Sequence, residues 1–168
     1  MSLRPGNAER LRRKYRPARV RLLFVGEAPP ASGRFFYRQD SGLYRAIRDA
    51  FRLVDSSIAD HTFLEIFQRS GCYLIDMCAA PVDHLDAASR RAACLAGEPA
   101  FTRTLRRLEP DAMVTLVRSI RDNVLRAAAR ARWRGPILDL PYPGRWVSHR
   151  KVFLECLAPR LEQLFAAR

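Results

Sequence analysis

A short apolar segment that ends in a Gly-Glu-Ala-Pro-Pro turn constrains this chain more than any other feature. Val20 and the run 22–25 are apolar, and Pro17 and Gly26 lie on either side of them. This pattern is typical of a strand buried on both faces of a parallel sheet. Glu27 follows at the carboxyl end of the strand, where open α/β sheets place their binding sites. The sequence therefore predicts a carboxylate at that edge of the sheet.

Aromatic residues follow the same turn. Pro29 and Pro30 stop the strand and stiffen its exit, and Phe35, Phe36 and Tyr37 come within a few residues. A carboxylate and a stacking surface beside one rigid strand end predict a pocket for a flat, polar ligand.

Predicted strands and helices alternate along the rest of the chain. Further strands are predicted at 72–78, 112–117 and 136–140, and helices at 7–16, 41–54, 61–69, 86–107, 118–132 and from Ser148 onward. Asn7 and Ser148 are the predicted caps of the first and last helix, and Gly97-Glu98-Pro99 is expected to divide 86–107 into two helices. Alternation of this kind predicts an α/β fold, a three-layer α/β/α sandwich around a four-stranded parallel sheet.

The composition indicates one domain and a polyanionic partner. The 168 residues are 48% hydrophobic, which fits a single domain over 1–168 with a basic N-terminal segment at 1–17. The net charge of +13 favours nucleic acid as the partner. Almost all of the basic residues are arginines, however, and codon bias alone produces an excess of arginine, so the charge is weaker evidence for a nucleic-acid partner. Solvent is the expected environment of the 7–16 helix, with DNA as the alternative.

Other classes of protein are disfavoured by the same composition. No apolar run reaches the roughly 18–20 residues that cross a bilayer, and no apolar segment follows the basic N-terminus, so we expect a cytoplasmic protein without a membrane partner. The four cysteines have neither C-x-x-C nor zinc spacing, so they are predicted to be buried small apolar residues, with no metal or cofactor.

The Gly26-Glu27-Ala28-Pro29 turn resembles the first motif of the uracil-DNA glycosylase superfamily. The closest match is the iron–sulfur branch, which has Gly-Glu-Ala-Pro-Gly, so Pro30 replaces the last glycine. The segments YLID (73–76), PDAMVTLV (110–117) and PYPGRW (141–146) follow in the order of the family's second strand, third strand and DNA-entering loop. The resemblance implies the same fold, and a protein that binds DNA and hydrolyses the N-glycosidic bond of a damaged or deaminated base.

The resemblance assigns candidate catalytic residues. Glu27 would polarise a water for attack on the sugar C1′ and stabilise the oxocarbenium-like sugar. The alternative for Glu27 is a loop carboxylate that pairs with an arginine. Tyr142 stands where the family loop has the histidine that assists the leaving base, and it is the second candidate catalytic residue.

Four residues are candidates for binding a flipped base: Gly26, Phe35, Phe36 and Asp76. The phenylalanines would stack on the base, or else pack in the core. Asp76 replaces the asparagine that reads the base edge in the family. An ionised aspartate only accepts hydrogen bonds and fits two adjacent donors, whereas a protonated one imitates asparagine and fits uracil. Both charge states stay open at this point.

The loop after the fourth strand and the start of the last helix are the candidate DNA surface, with Pro143, Gly144, Arg145, Trp146, His149 and Arg150 as its residues. Trp146 is a wedge for the base stack or a cover for the core, and the cover is favoured. The N-terminal cysteine pair of the iron–sulfur branch is absent and Cys78 is two residues from the expected ligand position, so no cluster is expected.

The resemblance leaves the activity open. The retained Glu27 favours a DNA glycosylase, which we expect to be a monomer acting on single- or double-stranded DNA. The Tyr142 substitution favours a non-catalytic member of the same superfamily that binds nucleic acid or nucleotides. An enzyme of free nucleosides or nucleotides is a weaker third possibility.

Overall fold

The structure, a computed structural model, describes residues 5–144 and 146–167. Six α-helices and four strands succeed one another in this part of the chain: α1 (Pro5–Lys14), β1 (Leu22–Gly26), α2 (Gly42–Val54), α3 (Phe63–Arg69), β2 (Cys72–Asp76), α4 (Ala87–Leu108), β3 (Ala112–Thr115), α5 (Arg121–Ala131), β4 (Ile137–Asp139) and α6 (Val147–Ala166). Short 3₁₀ turns at Phe36–Arg38, Asp60–Thr62 and Arg118–Ile120 precede helices or join the loops. None of these helices is both long enough and apolar enough to span a membrane.

The four strands form one parallel sheet in the order β2-β1-β3-β4. β1 is therefore central and is completely buried, as its apolar sequence predicts. Gly26 at its end pairs with Asp76 at the end of β2, so the turn after β1 and the end of β2 meet at one edge. The parallel sheet and its strand order confirm the predicted α/β fold.

Helices cover both faces of the sheet. The crossover from β1 to β2 runs toward one edge of the sheet, and the crossovers from β2 to β3 and from β3 to β4 run toward the other edge. Because such connections are right-handed, α2 and α3 lie on one face of the sheet and α4 and α5 on the opposite face. α2 packs against α6, and α4 packs against α5, which completes the α/β/α layering.

The prediction of two helices within 86–107 is wrong, because α4 runs unbroken from Ala87 to Leu108 with Pro99 inside it. Tertiary contacts hold the helix together there. A Cβ at Gly97 would lie 2.4 Å from the carbonyl oxygen of Met77, so glycine lets α4 approach the chain after β2. The next residue, Glu98, is fully buried and accepts hydrogen bonds from α5.

Both predicted helix caps are also wrong. Ser148 lies inside α6, which starts at Val147 after Trp146, and Trp146 makes no side-chain capping bond. Asn7 lies inside α1, which already includes Pro5 in the described residues; proline suits a first turn because its fixed φ is helical and it has no N–H to satisfy. Ser41, by contrast, caps α2 through a bond from the Tyr44 amide.

Candidate functional site

A cavity of about 370 Å³ opens at the carboxyl ends of the strands. Its lining includes every residue that the sequence assigned to catalysis or base binding: Gly26, Glu27, Phe35, Phe36, Asp76 and Tyr142. Apolar walls come from Leu43, Leu74, Leu116 and Val117. A cavity of this size, with mostly apolar walls and a few polar groups, is typical of small-ligand sites.

Glu27 is buried and both of its carboxylate oxygens are engaged. Arg90 Nε donates to Oε1 at 2.9 Å, and Arg90 Nη2 donates to Oε2. Ser119 Oγ donates to Oε1 at 3.3 Å. Arg90 lies in the first turn of α4, whose start faces the same edge of the sheet as the end of β1. Pairing with an arginine, the alternative interpretation of Glu27, is therefore present in the fold, while Glu27 still lines the cavity.

Arg90 is a residue that sequence reasoning missed. Its hydrogen bonds with Glu27 raise the pKa of the guanidinium further, so Arg90 stays charged. The side chain of Arg90 is 41% exposed, so it reaches solvent on the outer side of the cavity. An arginine in the first turn of a helix carries no signal that would identify it in a chain this rich in arginine.

Asp76 lies at the end of β2 and pairs with Arg12 of α1. Arg12 Nη2 donates to Asp76 Oδ2 at 2.7 Å, and the guanidinium carbon lies 5.5 Å from the centre of the Phe35 ring. Burial raises the pKa of the Asp76 carboxyl, and the charge of Arg12 opposes that rise. The expectation that the N-terminal helix faces solvent is wrong for Arg12, whose side chain is only 16% exposed.

Gly26 allows Asp76 to take its position. A Cβ at Gly26 would lie 2.5 Å from Asp76 Oδ1, which is closer than real Cβ contacts. We expect Gly26→Ala to turn Asp76 away from Arg12 and to lower the free energy of unfolding by about 1–3 kcal/mol. Urea denaturation measures this loss. Gly42→Ala is the control, because its Cβ would meet only Arg45 Nη2 at 3.9 Å; equal stability of the two variants would contradict the prediction.

Phe35 and Phe36 serve the cavity wall and the core at once. Both are buried, and the ring of Phe36 meets Tyr37 edge-on at 5.0 Å and Phe67 at 5.1 Å. Their two predicted roles, stacking and core packing, therefore do not exclude each other. Packing against the core holds these rings rigidly at the cavity.

Tyr142 is folded over Gly144. A Cβ at Gly144 would lie 2.3 Å from the Tyr142 ring, so glycine gives the ring its place at the cavity. Tyr142 is 47% exposed, and the partial loss of water around its phenol, followed by the charges of Asp83 and Asp76, raises the pKa of the phenol. The hydroxyl is therefore protonated at neutral pH and available as a hydrogen-bond donor.

The predicted DNA surface is partly exposed. Trp146 is 60% exposed, so the favoured interpretation of it as a cover for the core is wrong. Gly144 and His149 are also exposed, whereas Pro143 is buried. Arg150 forms an ion pair with Asp49. Arg145 lies outside the described residues, and contact of this surface with DNA stays a prediction.

Two of the cysteines meet beside the cavity. Cys78 Sγ and Cys94 Sγ are 3.6 Å apart and buried, and burial raises the pKa of the Cys78 thiol to about 12. A pair of thiols does not supply the four ligands of an iron–sulfur cluster, and no group of three potential metal ligands occurs in the described chain. Cys156 is exposed, so the prediction that all the cysteines are buried is wrong for it.

Comparison with known proteins identifies one family. A family model described as "Uracil DNA glycosylase superfamily" matches residues 13–163, which is most of the chain. No curated protein matches the sequence. The matched segment includes every residue at the cavity edge except Arg12, which directly precedes it.

Proposed function

The chain belongs to the uracil DNA glycosylase superfamily, and we propose that it is a DNA glycosylase that hydrolyses the N-glycosidic bond of a damaged or deaminated base. The observation that carries this proposal is the single cavity in which Glu27, Asp76 and Tyr142 meet beside two phenylalanines. A base inside a duplex is inaccessible, so the substrate nucleotide would rotate out of the helix into this cavity.

In the proposed reaction, water attacks C1′ of the sugar as the C1′–N bond breaks, and the electron pair of that bond leaves with the base. Glu27 orients the water and accepts the proton that the water loses on attack, and its negative charge stabilises the positive sugar as the C1′–N bond breaks. Arg90 occupies one acceptor site on each oxygen of Glu27, and a carboxylate oxygen has two, so Oε2 keeps a site for the water. The side chain of Arg90, 41% exposed, has room to turn toward solvent or toward a DNA phosphate.

Tyr142 would assist the leaving base as a hydrogen-bond donor. A neutral phenol donates one hydrogen bond to a base oxygen that gains negative charge. It does not carry the positive charge that an imidazolium provides, so we expect weaker assistance than the family histidine gives.

A panel of oligonucleotides, each with one modified base, tests the proposal. We expect release of at least one of the bases, with an abasic site left in the strand, and loss of that release when Glu27 is changed. Binding of the same oligonucleotides without release of any base would contradict the enzymatic proposal.

A non-catalytic binding protein is the second candidate. It is favoured by the pairing of both Glu27 oxygens with Arg90, because the guanidinium charge offsets the negative charge that would stabilise the sugar cation. In this case the cavity binds a base of nucleic acid or of a nucleotide, and the affinity for an extruded base is the property to measure.

Arg34 is the exposed cation at the rim of the cavity. It lines the cavity beside Phe35, and its guanidinium makes no ion pair with any acidic side chain in the described chain, whereas Arg12 and Arg90 are paired. An unpaired guanidinium next to a base pocket is suited to a DNA phosphate.

We therefore expect Arg34→Ala to weaken DNA binding about equally for all sequences and to reduce the salt slope of log K by about 1. Fluorescence anisotropy at several salt concentrations measures both. The control is Arg103→Ala, since Arg103 is exposed on α4 roughly 20 Å along the helix from Arg90. An unchanged salt slope for Arg34→Ala would remove Arg34 from the DNA surface.

A further inference from the structure

The two oxygens of Asp76 face different surroundings. Oδ2 accepts the hydrogen bond from Arg12 at 2.7 Å. Oδ1 lies against Gly26, which lines the cavity, and no donor within the described chain contacts it. One oxygen is therefore held by α1, and the other is left for a ligand.

Arg12 supplies the positive charge at this carboxylate. Glu27, Arg34, Asp83 and Arg90 line the same cavity as Asp76. The charge of Asp76 also acts on Tyr37 from the 3₁₀ turn, Cys78 from the chain after β2 and Tyr142 from the loop after β4. Burial raises the pKa of each of these three, so they are neutral near pH 7. Of the described groups that act on Asp76, Arg12 alone favours its ionised form.

The position of Arg12 is specific. Its guanidinium packs over Phe35 and also donates to Glu9 at 3.0 Å, while its Nε is buried without an acceptor in the described residues. A buried donor without a partner costs free energy that a solvent-facing arginine would not lose. Stacking of Tyr15 on Tyr37 at 5.7 Å anchors the end of α1 and so holds this arrangement in place.

We propose that Arg12 is a positioning residue that keeps Asp76 ionised with Oδ1 turned to the cavity, so that the site selects bases whose edge presents N–H donors. The inference rests on the proposed function for its substrate class. An ionised carboxylate accepts from guanine-type N1–H and N2–H₂, or from a cytosine-type base protonated at N3. It accepts from uracil N3–H but repels uracil O4, so uracil is the disfavoured base.

Nuclear magnetic resonance of the Asp76 side-chain carboxyl tests the charge state without any substrate. We expect the parent carboxyl to be ionised at pH 7, and we expect Arg12→Met to raise its titration midpoint by at least about one unit, because an adjacent opposite charge has effects of this size. Arg12→Lys should raise it less, since the cation is retained.

Arg13→Met is the matched control for these titrations. Arg13 lies on the same helix and also pairs with Glu9, but its side chain is 75% exposed and does not contact Asp76. A protonated Asp76 in the parent at pH 7, or a midpoint that Arg12→Met leaves unchanged, would overturn the inference. The parent measurement gives this answer even if Arg12→Met does not fold.

Binding of 2′-deoxyguanosine and 2′-deoxyuridine, followed on the same carboxyl signal, tests the selection of bases. We expect the parent to bind deoxyguanosine more tightly, and Arg12→Met to shift the ratio of affinities toward deoxyuridine by about tenfold at pH 7, which corresponds to one unit of pKa. An equal ratio of the two affinities in the parent and in Arg12→Met would contradict the proposed selection of bases. No binding of either nucleoside by the parent would contradict it as well.

Asp76→Asn and the double variant Arg12→Met/Asp76→Asn, compared with the parent and Arg12→Met, form a double-mutant cycle of stability. Asparagine removes the buried charge that faces Arg12 and leaves this cation only the half-exposed Glu9 as an acidic partner, so we expect the double variant to be more stable than Asp76→Asn alone. Failure of the parent to release any base from DNA would contradict the glycosylase proposal and leave the carboxyl titrations standing, so the two failures are distinguishable.

Discussion

Glu27→Gln is expected to lower the rate of base release by about 10²- to 10⁴-fold, the range for loss of a positioned acid–base group. Glutamine keeps the shape of the side chain and its contact with Ser119, but it removes the charge that stabilises the sugar cation. Arg90 then loses its partner, and because its side chain is 41% exposed it is able to reach water. Single-turnover kinetics on the best oligonucleotide of the panel measure the effect.

The DNA affinity of the same variant should be unchanged or slightly higher, since a negative charge near the phosphates is removed. Glu162→Gln, an exposed residue of α6, serves as the control for a general effect of the substitution. A Glu27→Gln protein that releases the base at the parental rate would end the catalytic assignment of Glu27.

Glu98→Ala is expected to have the largest effect on stability. Glu98 is fully buried, and it accepts from Asn123 Nδ2 at 2.9 Å, Arg126 Nη2 at 2.7 Å and Arg130 Nη1 at 2.7 Å. These bonds join α4 to α5 at the point where Gly97 and Pro99 weaken α4 locally. We expect the free energy of unfolding to fall by about 3 kcal/mol, since three hydrogen bonds to a charged acceptor are lost and Asn123 is left buried without one, whereas the half-exposed Arg126 and Arg130 reach water. Urea denaturation measures the loss.

The effect of Glu98→Ala should depend on pH. Burial by itself raises the pKa of Glu98, but the bonds from Arg126 and Asn123 outweigh it and hold the pKa below its usual range. A lowered pKa in the folded state stabilises the protein above the unfolded pKa of about 4.3, and this contribution is lost as the pH falls through the lowered value.

The difference in stability between the parent and Glu98→Ala should therefore be full at pH 7 and should narrow as the pH falls below about 4. Glu162→Ala, from an exposed site in α6, is the control. A difference that does not change with pH would show that the charge of Glu98 does not hold the two helices together.

Local patterns were sufficient to predict most of the fold. Strand β1 and the Gly26–Glu27 turn are visible because a buried parallel strand is a continuous apolar run, and glycine and proline mark its end. The alternation of strands and helices then predicted the parallel sheet. The predicted helix limits were less accurate. The sequence predicted a break at Gly97-Glu98-Pro99 because helix propensity depends only on neighbouring residues. The contacts with Met77 and α5 that keep α4 continuous come from distant parts of the chain.

Part of the cavity lining was also predicted from the sequence, by a short motif and by strand ends that parallel pairing brings to one edge. Asp76 ends β2, Glu27 directly follows β1 and Tyr142 lies in the loop after β4, and all three line the same cavity. Trp146 was misjudged, because an aromatic residue between a strand and a helix has the same sequence signal whether it faces the core or solvent.

The sequence by itself determined the sheet, its functional edge and the acidic groups there, because these depend on residue type and on position along the chain. Only the tertiary structure decided which cation meets each acid: Arg12 pairs with Asp76, 64 residues away, and Arg90 pairs with Glu27, 63 residues away. With 30 basic and 17 acidic residues, no spacing rule selects these pairs. They follow from the packing of α1 against the Phe36–Arg38 turn and of α4 against Met77 after β2, which brings distant side chains within hydrogen-bonding distance.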